Sequence, residues 1–289
     1  MEVTSVKRRA KIGIALFLVI YVTLGLINAI FFIPKDAKEV TQGLANRWIV
    51  QLSEKSVWYS RINPLTIIMT WVIIGGVIIF AVRVGKNFKL IPDRKQSLAE
   101  AVMDFMYEIV EGVIDDPRFA RPTFMIATTL FIFIALSNVI GGAIPGINVN
   151  VINTPAGNQV TFTLFSDTWF APTADLNTNL TYAIMVFFIS HAFAIRAKGL
   201  KGWLKSWLEP NPIMLPMNII GELAKPVSHS LRLFGNVGGG AILTFILSYL
   251  VKYMFLPIVF WGFFGIFVGL IQALVFSMLA VAYISAQLS

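Results

Sequence analysis

Cysteine is absent from the 289 residues of this chain. Its absence excludes disulfides, thiolate metal sites and cysteine nucleophiles, and leaves the compartment open. Histidine occurs only 2 times. So few, with no metal-ligand or triad spacing, argue against a membrane enzyme. Charge is the third scarcity. Charged residues are 13% of the chain, where an average soluble domain has about 25%. Much of the surface therefore does not face water. What takes its place is apolar: 57% of the residues, with 24 Phe among them, more than a soluble core of this chain length hides. The net charge of +8 fits the Lys/Arg excess that membrane proteins carry on cytoplasmic loops. No basic patch interleaved with aromatics is present, so nucleic acid is not an expected partner.

A helix needs about 20 predominantly apolar residues to span a bilayer. Six stretches come close: 12–33, 65–84, 122–144, 180–195, 216–249 and 256–285. The first follows Lys7, Arg8, Arg9 and Lys11. It exceeds a signal-peptide core and no A-x-A-like site follows, so it reads as a retained helix. Lys and Arg cluster at the N-terminus, over 86–121 and over 196–205, and are missing from 146–175. By the positive-inside rule both termini lie inside and 146–175 outside. The 34–64 loop, outside in this topology, holds Lys35, Lys38, Arg47, Lys55 and Arg61 beside Trp48, Trp58 and Tyr59. It reads as an interfacial segment.

A separate amphipathic helix is predicted over 97–114. Ser97 and Glu100 have capping-box spacing. Leu98, Val102, Phe105, Ile109 and Val113 form an apolar stripe opposite Glu100, Asp104, Glu108 and Glu111. Such a helix belongs on the membrane surface or against another subunit.

The most informative run is 217–236. Its downstream half is apolar, which draws Arg232 into or beside the bilayer. A central Arg costs about 2.5–3.5 kcal/mol on insertion scales, so it implies a function or a partner. Lys225, Ser228, His229, Arg232 and Asn236 recur at intervals of three or four, with Glu222 at the head of the line. They are expected on one helix face. A line of exchangeable polar groups in a membrane is what an ion path needs. A lone Arg would read instead as snorkelling or satisfied by carbonyls; a set in register weighs against that. Pro226 is predicted to bend the helix near Lys225. Gly235, Gly238, Gly239 and Gly240 suit close helix packing or a partner that slides past. The last segment adds Gln272, Ser277 and Tyr283. An antiparallel hairpin of the last two segments would put Gln272 at the depth of Arg232, as an acceptor for the guanidinium. Asp175 is a candidate at the outer mouth of the fourth segment and equally a helix cap.

These residues carry a resemblance. Lys225-Pro-x-Ser-x-Ser-Leu-Arg-Leu-Phe-Gly-Asn236 resembles the signature of subunit a of F-type ATP synthases. The runs Asn87-Phe-Lys-Leu-Ile-Pro92, Ser137-Asn138 with Pro145-Gly146, Pro172-Thr-Ala-Asp-Leu-Asn-Thr178, and Gln272-Ala with Tyr283 resemble further parts of that family. The resemblance covers about residues 65–287. It implies an ion-translocating stator subunit beside a rotating ring of c subunits, with peripheral stalk subunit b and other synthase subunits as partners, in a bacterial inner membrane. No cofactor is implied beyond the transported H⁺ or Na⁺, and no ATP chemistry in this chain. Ions would enter one half-channel, ride a ring carboxylate and leave by a second. Arg232 would match the essential arginine, holding the ionised carboxylate and blocking a direct leak. Gln272 and Asn236 would orient it or line the path. Lys225, Ser228, His229, Glu222, Asp175 and Tyr283 complete the candidate set.

The chain departs from many proton-driven members at 241, where Ala stands in place of an acid, and at 265, where Gly stands in place of a His. Either Glu222 or His229 compensates, or the ion is Na⁺. The helix at 12–33 is a second departure. The expected fold is all-α and integral to the membrane: about six membrane helices, a long tilted hairpin of the last two, and one amphipathic surface helix. All of 1–289 forms one membrane domain, with the family core over 65–289. The competing class is a stand-alone secondary transporter in which Arg232 holds an anionic solute. Transporters of that kind often show repeated halves, and no convincing repeat is present. A mere membrane anchor leaves the polar line unexplained.

Overall fold

The computed structural model describes residues 64–86, 88–143, 145–154, 157–168, 171–209, 211–250 and 262–288, with Val19, Thr23, 50–51 and 61–62. The expected helix at 12–33 and most of the 34–64 segment fall outside the described residues. Two short strands, β1 (Val50–Gln51) and β2 (Arg61–Ile62), pair antiparallel.

The described residues form six helices: α1 (Pro64–Lys86), α2 (Arg94–Glu111), α3 (Pro117–Ala143), α4 (Leu176–Ser206), α5 (Leu215–Leu250) and α6 (Gly269–Leu288). A π-helical turn, Phe263–Val268, leads into α6. Among the described residues four helical segments are long and apolar enough to cross a membrane: Thr66–Lys86, Pro117–Gly141, Leu176–Ser206 and Phe263–Leu288. The protein is a helical membrane protein, as its composition requires. Its outward surface is apolar for the same reason. In α1 only Thr66, Met69 and Ile73 are buried, while Trp71 and Ile68 stand exposed. In water that surface would be untenable; in lipid it is the solvated side.

α5 is 36 residues long and carries the charged line. At 1.5 Å per residue it measures about 54 Å, against a hydrocarbon core of about 30 Å, so it cannot stand upright within the bilayer. Pro226 lies inside this continuous helix. α5 and α6 run antiparallel, because Lys225 lies by Tyr283, His229 by Phe276 and Gly240 by Phe264. Ile73, Leu130, Phe133, Ile134, Val186, Leu233, Ala273 and Phe276 form one core shared by α1, α3, α4, α5 and α6.

A second core of Met106, Val110, Ile114, Ala127, Phe193, Val281 and Ile284 sits where α2 docks on the bundle. The sequence places that helix well but its details shift. Asp93, not Ser97, is the cap: its carboxylate accepts from the backbone N–H groups of Lys95 and Gln96, and the helix begins at Arg94. Those backbone donors, Gln96 first, hold the Asp93 carboxyl below its ordinary pKa. Gln96 instead donates to Glu100 and to the Lys89 carbonyl. The buried face is Gln96, Met106 and Val110, while Leu98, Phe105 and Val113 of the expected stripe remain exposed. α2 therefore presents apolar side chains on both flanks, one to the bundle and one outward.

The 146–175 segment also differs. Strand β3 (Pro145–Thr154) pairs antiparallel with β4 (Gly157–Thr168), with a register shift between Gly146 and Ile147. The register sets Ile147 opposite Leu164, Val149 opposite Phe162 and Val151 opposite Val160. The helical class stands with this hairpin added to it.

Candidate functional site

Two polar networks are built into the bundle. The first lies at the β-hairpin end. A 3-10 turn, Pro172–Ala174, sits between α3 and α4. Asn138 of α3 donates its amide to the Gly269 carbonyl at 2.9 Å and accepts from the Thr173 hydroxyl. Asn179 donates to the Thr173 carbonyl at 2.7 Å. Asn138, Thr173 and Asn179 are all buried. The approach is so close that a Cβ on Gly269 would stand 2.7 Å from that of Asn138. Asp175 caps α4, accepting from Asn177 N–H at 2.9 Å, and its other oxygen accepts from the Thr66 hydroxyl at 3.2 Å. Sequence reasoning flagged these motifs as family marks and missed that they bolt α1, α3, α4, α6 and the 3-10 turn together.

The second network follows α5. The polar line straddles a boundary. At 100° per residue, Ser228, Arg232, Lys225, Asn236, His229 and Glu222 spread over about 120° of the helix. Ser228 and Arg232 are on the exposed edge. Lys225, Asn236 and Glu222 are half-buried, and His229 is buried. The expected single face is thus divided into an outward edge and an inward edge. Arg232 makes no hydrogen bond or ion pair among the described residues. Gln272 is half-buried at matching depth on α6, yet the expected bond between it and Arg232 does not form. Arg232 is exposed on α5.

Open space continues along that side. Gly221, Gly235 and Gly239 have no atom within 4 Å of an added Cβ, whereas Gly240, on the inner side, meets the Phe264 ring at 3.0 Å. Ser228, Arg232, Gly235 and Gly239 therefore form an outward stripe of one guanidinium among small residues.

The inward edge is packed. His229 bonds through Nε2 to the Phe276 carbonyl at 3.1 Å. A carbonyl only accepts, so the proton is on Nε2. Its ring lies 3.7 Å from Phe276 and 5.5 Å from Tyr283, centroid to centroid. Glu222 binds Lys225 through Oε1. Lys225 Nζ also lies 5.7 Å above the Tyr283 ring, a cation–π distance. Ala183, Phe187, Ser190, Glu222, Lys225, Pro226 and Tyr283 line a small, partly open cavity.

A residue that spacing left open joins here. His191 of α4 places Nε2 at 3.7 Å from Glu222 Oε2. Trp203 donates its indole N–H to His191 Nδ1 at 3.3 Å. Twelve residues of straight helix would separate Trp203 from His191 by about 18 Å. The helix breaks between them, at Gly199, whose φ of 74 and ψ of 164 a glycine adopts without strain. The break returns Trp203 and Trp207 onto the His191 ring.

Residues 65–285 match the ATP synthase A chain family. "ATP synthase subunit a 2" of Acaryochloris marina is 34% identical over 223 residues, 76% of this chain and 84% of that protein. "ATP synthase subunit a" of Bacillus subtilis is 31% identical over 242 residues, covering 78% and 93% of the two chains. "ATP synthase subunit a, sodium ion specific" of Propionigenium modestum is 31% identical over 225 residues, covering 78% and 74%.

Proposed function

The chain belongs to the ATP synthase A chain family, the ion-translocating stator subunits of rotary ATP synthases, and from that premise we propose that Arg232 separates two half-channels at the contact with a ring of c subunits. The observation that carries this is the outward stripe. A guanidinium keeps its charge in the membrane where Lys would lose it. On a stripe of small residues it can approach an ionised carboxylate of a passing ring helix. The charge attracts that carboxylate and displaces the cation bound to it.

In this reading the inward edge is one half-channel. Glu222, Lys225 and His229 lead from the Lys-rich end toward Arg232, with Ser228 beside them on the outward edge. Asn236 and Gln272 continue at its level, Tyr283 walls the cavity, and Asp175 with Thr66 stands at the opposite mouth. Peripheral stalk subunit b and the other synthase subunits complete the partners. The setting is a bacterial inner membrane with both termini in the cytoplasm. Residues 65–289 form the functional core and 12–33 an added helix.

The absence of native cysteine makes the stripe directly testable. Cysteine at Ser228, Gly235 or Gly239 is expected to cross-link to cysteines placed in the ring helix. Cysteine at Leu233, which is buried, is expected to stay unlinked. Equal linking from both sides of α5 would refute the assigned face.

The transported cation follows from what stands above Arg232. Positions 241 and 265 are Ala and Gly, so neither supplies a titrating group, and Na⁺ is the cation this favours. ATP hydrolysis by the intact complex at neutral pH is then expected to rise with added Na⁺. A flat response removes Na⁺ and leaves H⁺.

A further inference from the structure

We propose that His191 is a positioning residue of the translocation path, holding the Glu222 carboxylate toward the cavity where a passing monovalent cation replaces Lys225 on it. This rests on the translocation reading above. Glu222 has two occupied sides: Oε1 faces Lys225 and Oε2 faces His191. The indole N–H of Trp203 only donates, so His191 Nδ1 accepts and carries no proton. The proton of the neutral ring is therefore on Nε2, the atom nearest Glu222. His191 is 7% exposed, and its Nε2 has no hydrogen-bond partner. At 3.7 Å it is one small shift from donating to the carboxylate. A buried donor without a partner, aimed at an acid beside a cavity, is costly unless that acid completes it.

Lys225 touches two groups at once. One is Glu222 Oε1; the other is the Tyr283 face. When a cation arrives at Glu222, like-charge repulsion moves Lys225 to the ring face. His191 keeps the carboxylate aimed during that exchange. It is clamped in turn by Phe187 at 4.3 Å and by Trp207, stacked at 5.7 Å. Among the described residues, the charged and titratable groups facing this site are Glu222 and Lys225 from α5 and Tyr283 from α6; α4 contributes His191 itself.

The test uses inverted membrane vesicles holding the whole complex, with ATP-driven cation uptake followed across the pH range in which histidine titrates. His191→Phe is expected to lower uptake about tenfold, the lower end of what losing an orienting hydrogen bond costs, and to change the shape of the pH profile. His191→Gln keeps a donor near the Nε2 position and is expected to restore most of the uptake. Trp203→Phe keeps the His191 ring but frees Nδ1. It is expected to move the pH profile with a smaller loss, and it decides the matter if His191→Phe does not assemble. The proposal is overturned by a parental rate and profile in His191→Phe, or by equal impairment of the Phe and Gln variants. Arg232→Ala run in parallel separates the two readings. Uptake surviving in Arg232→Ala defeats translocation through this site; uptake lost there but normal in His191→Phe defeats only the role of His191.

Discussion

Replacing Arg232 with Ala is expected to abolish ion-coupled ATP synthesis while the complex still assembles. Assembly survives because Arg232 is exposed on α5 and holds no other described side chain in place. Its removal leaves no buried partner orphaned among the described residues. Coupling fails because the fixed charge is gone. Two unit charges 4 Å apart at an effective dielectric of 20 attract by about 4 kcal/mol, about a thousandfold in an equilibrium constant. In the proposed mechanism a ring carboxylate without that attraction has no reason to shed its cation as it passes. Arg232→Lys is expected to recover little, since an ammonium loses its proton readily in a desolvated site and lacks the planar fork. The measurement is ATP synthesis driven by an imposed ion gradient in vesicles, normalised to assembled complex. Normal coupled synthesis in Arg232→Ala would sink the mechanism.

Asn138→Leu acts in the opposite way, on assembly rather than coupling. Leu removes the donor to the Gly269 carbonyl and the acceptor for the Thr173 hydroxyl, in a buried place. An orphaned buried polar group costs about 1–3 kcal/mol. Interhelical bonds in membranes are often weaker, about 0.6 kcal/mol on average, but here two groups lose their partner together. The expected result is a clear drop in the thermal unfolding midpoint of the detergent-solubilised complex and less of this chain in membranes, with near-normal coupling per surviving complex. An unchanged midpoint would show that the network is ornamental. Gly269→Ala is the steric counterpart, because its Cβ would fall 2.7 Å from the Asn138 Cβ.

Much of this was written in composition and period. The apolar runs gave the helices α1, α3, α4, α5 and α6, and the interval of three or four gave the polar line on α5. The same interval hid the division of that line. Ser228 and His229 are sequence neighbours but differ by about 100° around the helix, so one is exposed and the other buried. Which way the boundary falls is decided by where α4 and α6 pack, and a single helix does not encode that. The α2 cap was misplaced because Ser97 and Glu100 have the right spacing, while Asp93 sits four residues earlier and has a free run of N–H groups to accept from. The hairpin was overlooked because its period-two alternation, Ile147, Val149, Val151 against Asn148 and Asn150, lies in a stretch read only for its lack of Lys and Arg. His191 and Glu222 lie on different helices, 31 positions apart. Only tertiary packing makes them neighbours.

The break at Gly199 also fixes a thickness. The unbroken part of α4, 176–198, is about 34 Å long, close to the hydrocarbon core of a bilayer, about 30 Å. Past the break, Lys201, Trp203, Lys205 and Trp207 are the residue types that settle among lipid headgroups. Trp203 and His191 are therefore tied together across the boundary between headgroup and hydrocarbon. A bilayer that thickens or thins pulls on this tie through mismatch. In the proposed arrangement, bilayer thickness and the hold on Glu222 are coupled through this one tie.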